Sequence, residues 1–321
     1  MLSRNSESNG EVPVSVLVLT WNEALNIEEC IRSVGWTDEV FVVDSLSTDR
    51  TTEIAKSLGA KIFVHPFEGY AAQRNWALEN LPFSNEWVLM LDADERVRPA
   101  LAKEIGEAVH HDGNGETGFY LARRFLFLGR WLKHGGLYPT WILRLFKRHQ
   151  VRFEERPVNE HAILNDGTAG QLQNPLDHCD NRPLSDWIAK HNRYSDLEAE
   201  EYLQEKLGGG FKSAIGARLW GTQAERKRWI KLRLWNQCPL LLRPFLFFFR
   251  NYFFKGGFLD GRAGFIYHVL WSFWYQFLSS AKIIEREGVV KSGFSREPTR
   301  LQASDQSGGS TGKEFRTVST K

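Results

Sequence analysis

The feature that most strongly constrains the fold of this chain lies in its first hundred residues. Short apolar segments there alternate with segments whose apolar residues have the spacing of a helix. Val14–Thr20 is almost wholly apolar and rich in β-branched residues, which is typical of a strand buried on both faces. The pattern recurs in three more segments, which are Glu39–Asp44, Lys61–His65 and Glu86–Leu91. Helical spacing separates them, over residues 26–34, 51–58 and 70–81. This alternation predicts an α/β fold in which helices cover both faces of a mainly parallel sheet.

Polar side chains follow three of these strands at the point where each strand ends. They are Thr20, Asn22 and Glu23 after the first strand, Asp44 at the end of the second, and Asp92 and Asp94 after the fourth. In open sheets of this type, ligands bind outside the carboxyl ends of the strands. We therefore expect these polar groups to converge on one ligand-binding edge.

The Asp92-Ala93-Asp94 motif suits a divalent cation. Residues i and i+2 of an extended segment point the same way, so both carboxylates can face one metal ion, or one can face the metal and the other a ribose. A metal held in this way neutralises a diphosphate leaving group without proton transfer. Asp-x-Asp pairs also occur in solvated turns, and the preceding buried strand is what favours the metal site here.

Two further residues are candidates for contacts to a nucleotide. Asp44 stands where strand-end carboxylates bond a base or ribose, although it could also cap a loop. Asp49 is better suited to capping the helix that follows it. Arg74 offers a planar cation that suits phosphate, although a lone helical arginine is often a surface charge.

Four short motifs, in this order and spacing, resemble those of family 2 glycosyltransferases with the Rossmann-like GT-A fold. They are Thr20-Trp21-Asn22-Glu23, Asp44 with Ser47-Thr48-Asp49-Arg50-Thr51, Ala72-Gln73-Arg74-Asn75, and Asp92-Ala93-Asp94-Glu95. The chain is most similar to the bacterial lipopolysaccharide core β-glucosyltransferase branch, through Tyr138-Pro139, Arg144-Leu145-Phe146 and Gly257-Phe258-Leu259-Asp260-Gly261. The resemblance covers roughly residues 13 to 287.

The resemblance implies a nucleotide-sugar donor, with uridine as its base, and a Mn²⁺ or Mg²⁺ cofactor held by Asp94 and Asp92. The implied donor-binding residues are Thr20, Asn22, Glu23, Asp44, Arg74 and Asp92.

The resemblance also implies inversion by single displacement, in which a carboxylate removes the proton of the attacking hydroxyl. Glu160 aligns with the family glutamate and is the predicted catalytic base, with Glu154 and Glu155 as alternatives. That branch usually has histidine before this glutamate, whereas this chain has Asn159. A purely structural pairing of Glu160 with Arg144 or Arg156 is the competing interpretation.

Several other classes of protein fit poorly. A net charge of +2 and the absence of an RNA-binding motif argue against nucleic acid as a partner. Neither a GxxxxGK[ST] loop nor a GxGxxG fingerprint is present. His110-His111 and His178-Cys179 lack a second cluster at zinc-ligand spacing, so surface or core roles are expected for them. Three scattered cysteines and a polar N-terminus without a signal-peptide core favour the cytoplasm.

The chain divides into four predicted parts. Residues 1–12 form a flexible N-terminus and residues 13–207 a GT-A catalytic domain. Residues 208–290 form an aromatic and basic helical region, which begins at the glycine run 208–210. Residues 291–321 are rich in Ser, Gly, Thr and Lys, which predicts a disordered tail.

The third part has the composition of amphipathic, membrane-associated helices. Arg218–Trp235 interleaves basic residues with tryptophan, which suits an anionic lipid interface. Ala263–Ala281 lacks charged residues and is long enough for a short span, but polar residues interrupt its apolar surface. In-plane or shallow insertion is therefore expected, with packing on the catalytic domain as the alternative.

Together these features predict an inverting glycosyltransferase at the cytoplasmic face of the inner membrane. It would transfer a hexose, with glucose as the implied sugar, from a nucleotide donor such as a UDP-hexose to a lipid-linked cell-envelope glycan such as lipopolysaccharide core. Two alternatives stay open. One is a polyprenyl-phosphate glycosyltransferase, and the other is a non-catalytic membrane adaptor with a GT-A-like scaffold.

Overall fold

A computed structural model describes residues 12–110, 115–154, 162–206, 220 and 238–291. The predicted N-terminal strands are confirmed as β1 (Val14–Thr20), β2 (Val40–Asp44), β3 (Lys61–Val64) and β4 (Trp87–Asp92). They are parallel, in the order β3-β2-β1-β4. The register pairs Thr20 with Asp44 and Leu19 with Asp92. The three strand ends that carry polar residues therefore lie side by side, as predicted.

Beyond β4 the sheet is mixed. Its further strands are β5 (Glu95–Arg96), β6 (Glu116–Phe127), β7 (Arg130–Trp131), β8 (Thr140–Lys147), β11 (Thr168–Gln171) and β12 (Leu176–Cys179). The order continues from β4 as β8-β6-β12-β5, and β8 is antiparallel to both of its neighbours. No helix separates β6 from β8, and a direct connection of this kind makes strands antiparallel. β9 (Val151–Phe153) and β10 (Ala162–Leu164) form a separate pair.

Helices cover both faces of the sheet. The helices α1 (Ile27–Ser33), α2 (Thr51–Ser57) and α4 (Pro99–His110) pack on one face, and α3 (Tyr70–Asn80) packs on the other. Alternate residues of β1 enter the two cores, because successive strand side chains point to opposite faces: Val16 and Val18 pack with α1 and α4, and Leu17 packs with α3. The predicted α/β fold with helices on both faces is confirmed.

The C-terminal helices pack against the catalytic part of the chain. The predicted catalytic part ends on α5 (Leu184–Lys206). The C-terminal helices are α6 (Arg243–Phe249, continued by a π-helical turn to Phe254), α7 (Gly261–Tyr267, continued by π-helical residues to Tyr275) and α8 (Gln276–Lys291). Glu198 of α5 accepts a hydrogen bond from Ser279 of α8 at 3.0 Å. Phe127 and Leu132 pack with Ala263 and Tyr267 in a small core of their own.

Several segments on which predictions were made lie outside the described residues. These are the glycine run 208–210, the N-terminal residues 1–11, the tail beyond residue 291 and all of residues 218–235 except Trp220. Among the described helices, none combines the length and apolar character needed to cross a bilayer. In-plane membrane insertion of the C-terminal helices stays a prediction.

His268 joins the loop after β7 to these helices. It is only 1% exposed, and its Nδ1 lies 3.0 Å from Ser272 Oγ. A Cβ atom added to Gly135 or Gly257 would lie 2.2 or 2.4 Å from His268 Nε2, so both positions require glycine. The neighbouring His134 donates its backbone N–H to Asp260 at 2.9 Å, which ties the loop to the same helical region.

We expect acid to weaken this junction. Burial lowers the pKa of His268 to about 4. An unfolded chain takes up the proton near pH 6.5, so the contribution of His268 to stability is complete above that pH and is lost as the pH falls toward 4. Between pH 7 and pH 5 the loss is about 2 kcal/mol. Calorimetry at both pH values measures the free energy of unfolding. The change in this free energy between pH 7 and pH 5 should be smaller for His268→Asn than for the wild type, and an equal change would contradict this account.

Candidate active site

The loops after β1 and β2 are bonded to each other. The backbone N–H of Asn22 donates to Ser47 Oγ, and the N–H of Thr48 donates to Asn22 Oδ1, both at 2.8 Å. The N–H of Glu23 donates to Thr51 Oγ1 at 2.8 Å. Asn22 has a φ of 52°, a left-handed conformation that asparagine tolerates better than most residues. These hydrogen bonds hold the two loops together as one surface at the edge of the sheet.

Asp44 lies at the start of the second of these loops and is only 2% exposed. Its Oδ2 accepts the backbone N–H of Ser47 at 2.8 Å, and its Oδ1 accepts the hydroxyl of the same residue. Asp49 accepts the N–H of Thr51, the first residue of α2, at 3.0 Å, but Arg50 and not Asp49 stands at the N-cap position. Thr20 lies beside Asp44, and its hydroxyl is buried without a hydrogen-bond partner in the described part of the chain.

Glu23 faces the cleft beside Arg182, which follows β12. Its carboxylate lies 3.0 Å from Arg182 and accepts a hydrogen bond from Asn26 at 2.7 Å. Burial raises the pKa of Glu23 to about 7, against the opposing charge of Arg182. Arg182 also contacts Asp180 at 2.7 Å and reaches to 4.0 Å from Asp94. This arginine therefore links the first strand end to the metal motif.

Asp92 is held by two arginines. Its Oδ1 lies 3.3 Å from Arg74, and its Oδ2 accepts a hydrogen bond from Arg144. Arg144 donates a second hydrogen bond to the fully buried Glu95 at 2.8 Å. Although burial opposes its charge, these guanidinium groups hold the pKa of Asp92 well below its ordinary value. Asp92 is thus a fixed anion, and both of its oxygens already have cationic partners.

Loss of Arg144 should destabilise the protein strongly. The variant Arg144→Met would leave the buried Glu95 without its cation, while Asp92 would keep only Arg74, and breaking a buried ion pair costs about 3 to 5 kcal/mol. Urea unfolding should reveal a loss of this size. The matched control is Arg152→Met, because Arg152 lies exposed on β9 and should tolerate the change. Equal stabilities for the two variants would show that Arg144 is not the buried counter-charge.

Asp94 has different surroundings from Asp92. Its Oδ2 lies 3.4 Å from His178 Nε2, and its Oδ1 is buried without a hydrogen-bond partner in the described part of the chain. β12 brings His178 there by pairing it with Glu95, and the N–H of Cys179 donates to the Asp94 carbonyl at 2.8 Å. Burial lowers the pKa of His178, so its imidazole is neutral at neutral pH. A neutral imidazole and a carboxylate oxygen are suitable ligands for a divalent metal.

The model of glycosyl transferase family 2 matches residues 15–161 of this chain. That stretch contains every donor and metal residue predicted above. Residues 15–161 form a glycosyltransferase family 2 domain. The membership implied by the four motifs is therefore confirmed, and with it the prediction of a glycosyltransferase.

This glycosyltransferase has relatives that match most of its length. It is 27% identical over 285 residues to the lipopolysaccharide core biosynthesis glycosyltransferase LpsC of Rhizobium meliloti, with 87% of this chain and 94% of LpsC covered. It is 28% identical over 290 residues to an uncharacterized glycosyltransferase of Rickettsia felis, covering 87% and 91% of the two chains. Among solved structures, glucosyl-3-phosphoglycerate synthase from Mycobacterium tuberculosis is 20% identical, covers 67% of this chain and 89% of its own, and has a TM-score of 0.40.

The structure of this glycosyltransferase brings the predicted residues together at one edge, apart from Glu160. Glu160 and its alternative Glu155 lie outside the described residues, between β9 and β10, and the role of Glu160 stays a prediction. Glu154 is half-buried at the end of β9. The prediction that His178 has only a surface or core role missed its contact with Asp94. Glu95 and Arg182 had no predicted role, and Arg144 was considered only as a structural partner of Glu160. A lone arginine in the apolar strand 140–147 nevertheless indicates a buried charge that needs a partner.

Proposed function

We propose that this enzyme is an inverting glycosyltransferase that transfers a hexose from a UDP-sugar to a lipid-linked glycan of the cell envelope. The observation that carries the proposal is the buried, unpartnered oxygen of Asp94, which lies beside His178 at the carboxyl end of β4. A buried carboxylate oxygen without a partner is costly, and a bound cation would remove that cost.

The residues present fit a divalent cation that is shared with the donor. Asp94 and His178 would hold Mn²⁺ or Mg²⁺, and the ion when bound would neutralise charge on the leaving diphosphate. No group of three or more His, Cys, Asp or Glu residues suited to metal is found among the described residues. The further ligands would then be diphosphate oxygens and water, which is the usual arrangement for Mg²⁺ at phosphate sites.

The chain's own residues would divide the remaining tasks. Asp92, fixed by Arg74 and Arg144, would orient the donor, while Thr20, Asn22, Glu23 and Asp44 line its nucleotide side. Glu160 would remove the proton of the acceptor hydroxyl as that oxygen attacks the anomeric carbon. β9, which precedes Glu160, is joined to α3 through two hydrogen bonds between Asn75 and Phe153, at 2.8 and 3.0 Å. Asn75 follows Arg74 on α3, so β9 is held against the helix that carries Arg74.

A lipid-linked acceptor is supported by the aromatic helices. An exposed apolar face, here called the aromatic face, comprises Phe245, Leu246, Phe249, Phe253, Phe254, Phe258, Leu259 and Phe265. Tyr252 connects its rings, with centroids 5.7 Å from Phe265 and 6.3 Å from Phe258. Exposed cations lie among them at Arg250, Lys255 and Arg262. Aromatic rings with interspersed cations suit the surface of an anionic bilayer, so we assign the protein to the cytoplasmic face of the inner membrane.

Purified protein incubated with a panel of nucleotide sugars tests the proposal. Release of UDP from UDP-glucose should require Mn²⁺ or Mg²⁺ and stop with EDTA. Sugar should then be transferred to lipopolysaccharide core glycan rather than to polyprenyl phosphate, and Glu160→Gln should bind donor but not transfer. Transfer to polyprenyl phosphate would favour the alternative enzyme, and no donor cleavage under any condition would favour a non-catalytic adaptor.

A further inference from the structure

Two half-buried cations beside the cleft form no hydrogen bond or ion pair with a carboxylate in the described part of the chain. They are Arg123 on β6 and Lys190 on α5. Lys190 contacts the ring of Tyr194, with its Nζ 5.8 Å from the ring centroid. The neighbouring arginines differ, since Arg124 is paired with Asp177 and Arg182 with Asp180. A partly desolvated cation without a counter-charge is unfavourable, which indicates that an anion binds here from outside.

Arg123 lies on the metal side of β6. Alternation puts Arg123 and Phe125 on one face of the strand and Arg124 on the other. Phe125 is paired with His178 in the β6–β12 register, and the two ring centroids lie 5.3 Å apart. The guanidinium of Arg123 is therefore on the same face as the His178 and Asp94 pair.

Lys190 lies on the other side of the same motif. Tyr194, one helical turn after it, has its hydroxyl 2.8 Å from that of Tyr70 on α3. Arg74 lies 5.9 Å from the centroid of the Tyr70 ring, and Lys190 lies 5.8 Å from that of Tyr194, so both cations lie beside this pair of tyrosines. Because Arg74 is the partner of Asp92, a series of contacts leads from Lys190 through the two tyrosines to the metal motif.

The sheet order separates Arg123 from the predicted nucleotide side of the site. The predicted donor groups after β1 and β2 lie on one side of β4, and β6 lies on the other side, beyond β8. We propose that Arg123 and Lys190 bind an anionic substituent, a phosphate or a carboxylate, on the acceptor sugar. This inference rests on the proposed transferase function. The enzyme would accordingly select a charged acceptor over a neutral glycan of the same shape.

The test uses three forms of a core oligosaccharide with UDP-glucose as donor. One form is intact, one is dephosphorylated with hydrofluoric acid, and one has its carboxylates reduced to alcohols. The wild type should show a KM about tenfold or more higher for the form that has lost the recognised anion, and that form identifies phosphate or carboxylate as the ligand. Calorimetric titration of the same three glycans gives a Kd even where transfer is too slow to measure.

The variants Arg123→Gln and Lys190→Gln should raise the KM for the intact glycan about tenfold more than the KM for UDP-glucose. For the glycan that lacks the recognised anion, their KM should equal that of the wild type. Arg152→Gln on β9 and Arg193→Gln on α5 are exposed, charge-matched controls that should change neither KM. Arg123→Lys keeps the charge and should recover part of the affinity, which guards against a folding defect.

Two results would overturn the inference. A larger rise in the KM for UDP-glucose would assign the cations to the donor diphosphate. Equal Kd values of the wild type for all three glycans would exclude recognition of an anion. Failure of the proposed function is distinct, because the wild type would then release no UDP from any donor.

Discussion

Replacing Asp94 by asparagine is expected to lower metal-dependent donor cleavage about a thousandfold or more. The Asp94 oxygen that lacks a partner and the adjacent His178 are the groups best placed to hold a cation. Charge neutralisation by a metal contributes several kcal/mol to transition-state stabilisation, and each 1.4 kcal/mol changes the rate about tenfold. Release of UDP from UDP-glucose in the presence of Mn²⁺ measures the rate, and electron paramagnetic resonance of free Mn²⁺ measures its binding.

Asp92, Asp94 and His178 should differ in their effect on the metal. Both Asp92 oxygens are engaged by arginines, so Asp92→Asn should weaken Mn²⁺ binding less than Asp94→Asn or His178→Asn. Asp38→Asn is the matched control, because Asp38 is exposed on the loop before β2 and should leave both binding and rate unchanged. An Asp94→Asn enzyme that binds Mn²⁺ with normal affinity would remove Asp94 as the metal ligand.

The half of the site that depends on local sequence was predictable. Thr20, Asp44 and Asp92 each end an apolar segment, and parallel strands align their carboxyl ends, so their proximity follows from pattern alone. The bonds between the two loops were not foreseen. Ser47 and Thr48 bind Asn22 and Asp44 through backbone N–H groups and hydroxyls, and such contacts depend on loop conformation rather than on residue type.

The other half depends on strand pairing between distant segments. His178 reaches Asp94 because β12 inserts between β5 and β6. The same insertion explains the position of Arg182, which follows β12 in the chain. Neither residue lies in a motif with metal-ligand or phosphate-binding spacing. The antiparallel insertion of β8 likewise delivers Arg144 to Asp92. Sequence periodicity identifies these strands but not their order in the sheet, so the partners of Asp92 and Asp94 required the structure.

The aromatic face should account for most of the affinity for lipid. Phe253 and Phe254 are 49% and 86% exposed, and their insertion into the interface would bury apolar area that water now contacts. Full burial of one such ring contributes about 1.5 to 3 kcal/mol, so the double variant Phe253→Gln/Phe254→Gln should bind vesicles about thirtyfold or more weakly. Sedimentation with vesicles of phosphatidylglycerol and phosphatidylethanolamine measures the partition coefficient.

A control from another exposed apolar pair separates insertion from general surface hydrophobicity. Val64 and Phe67, at the end of β3 and in the loop that follows, are 57% and 53% exposed and lie apart in sequence from the aromatic helices. The double variant Val64→Gln/Phe67→Gln should bind vesicles like the wild type. Added salt should weaken binding of the wild type and of both variants, because Arg250, Lys255 and Arg262 contribute a screened attraction to anionic lipid. Equal vesicle binding by the two double variants would contradict insertion of the aromatic face into lipid. That face would then have another partner, and any attachment to lipid would have to come from elsewhere in the chain.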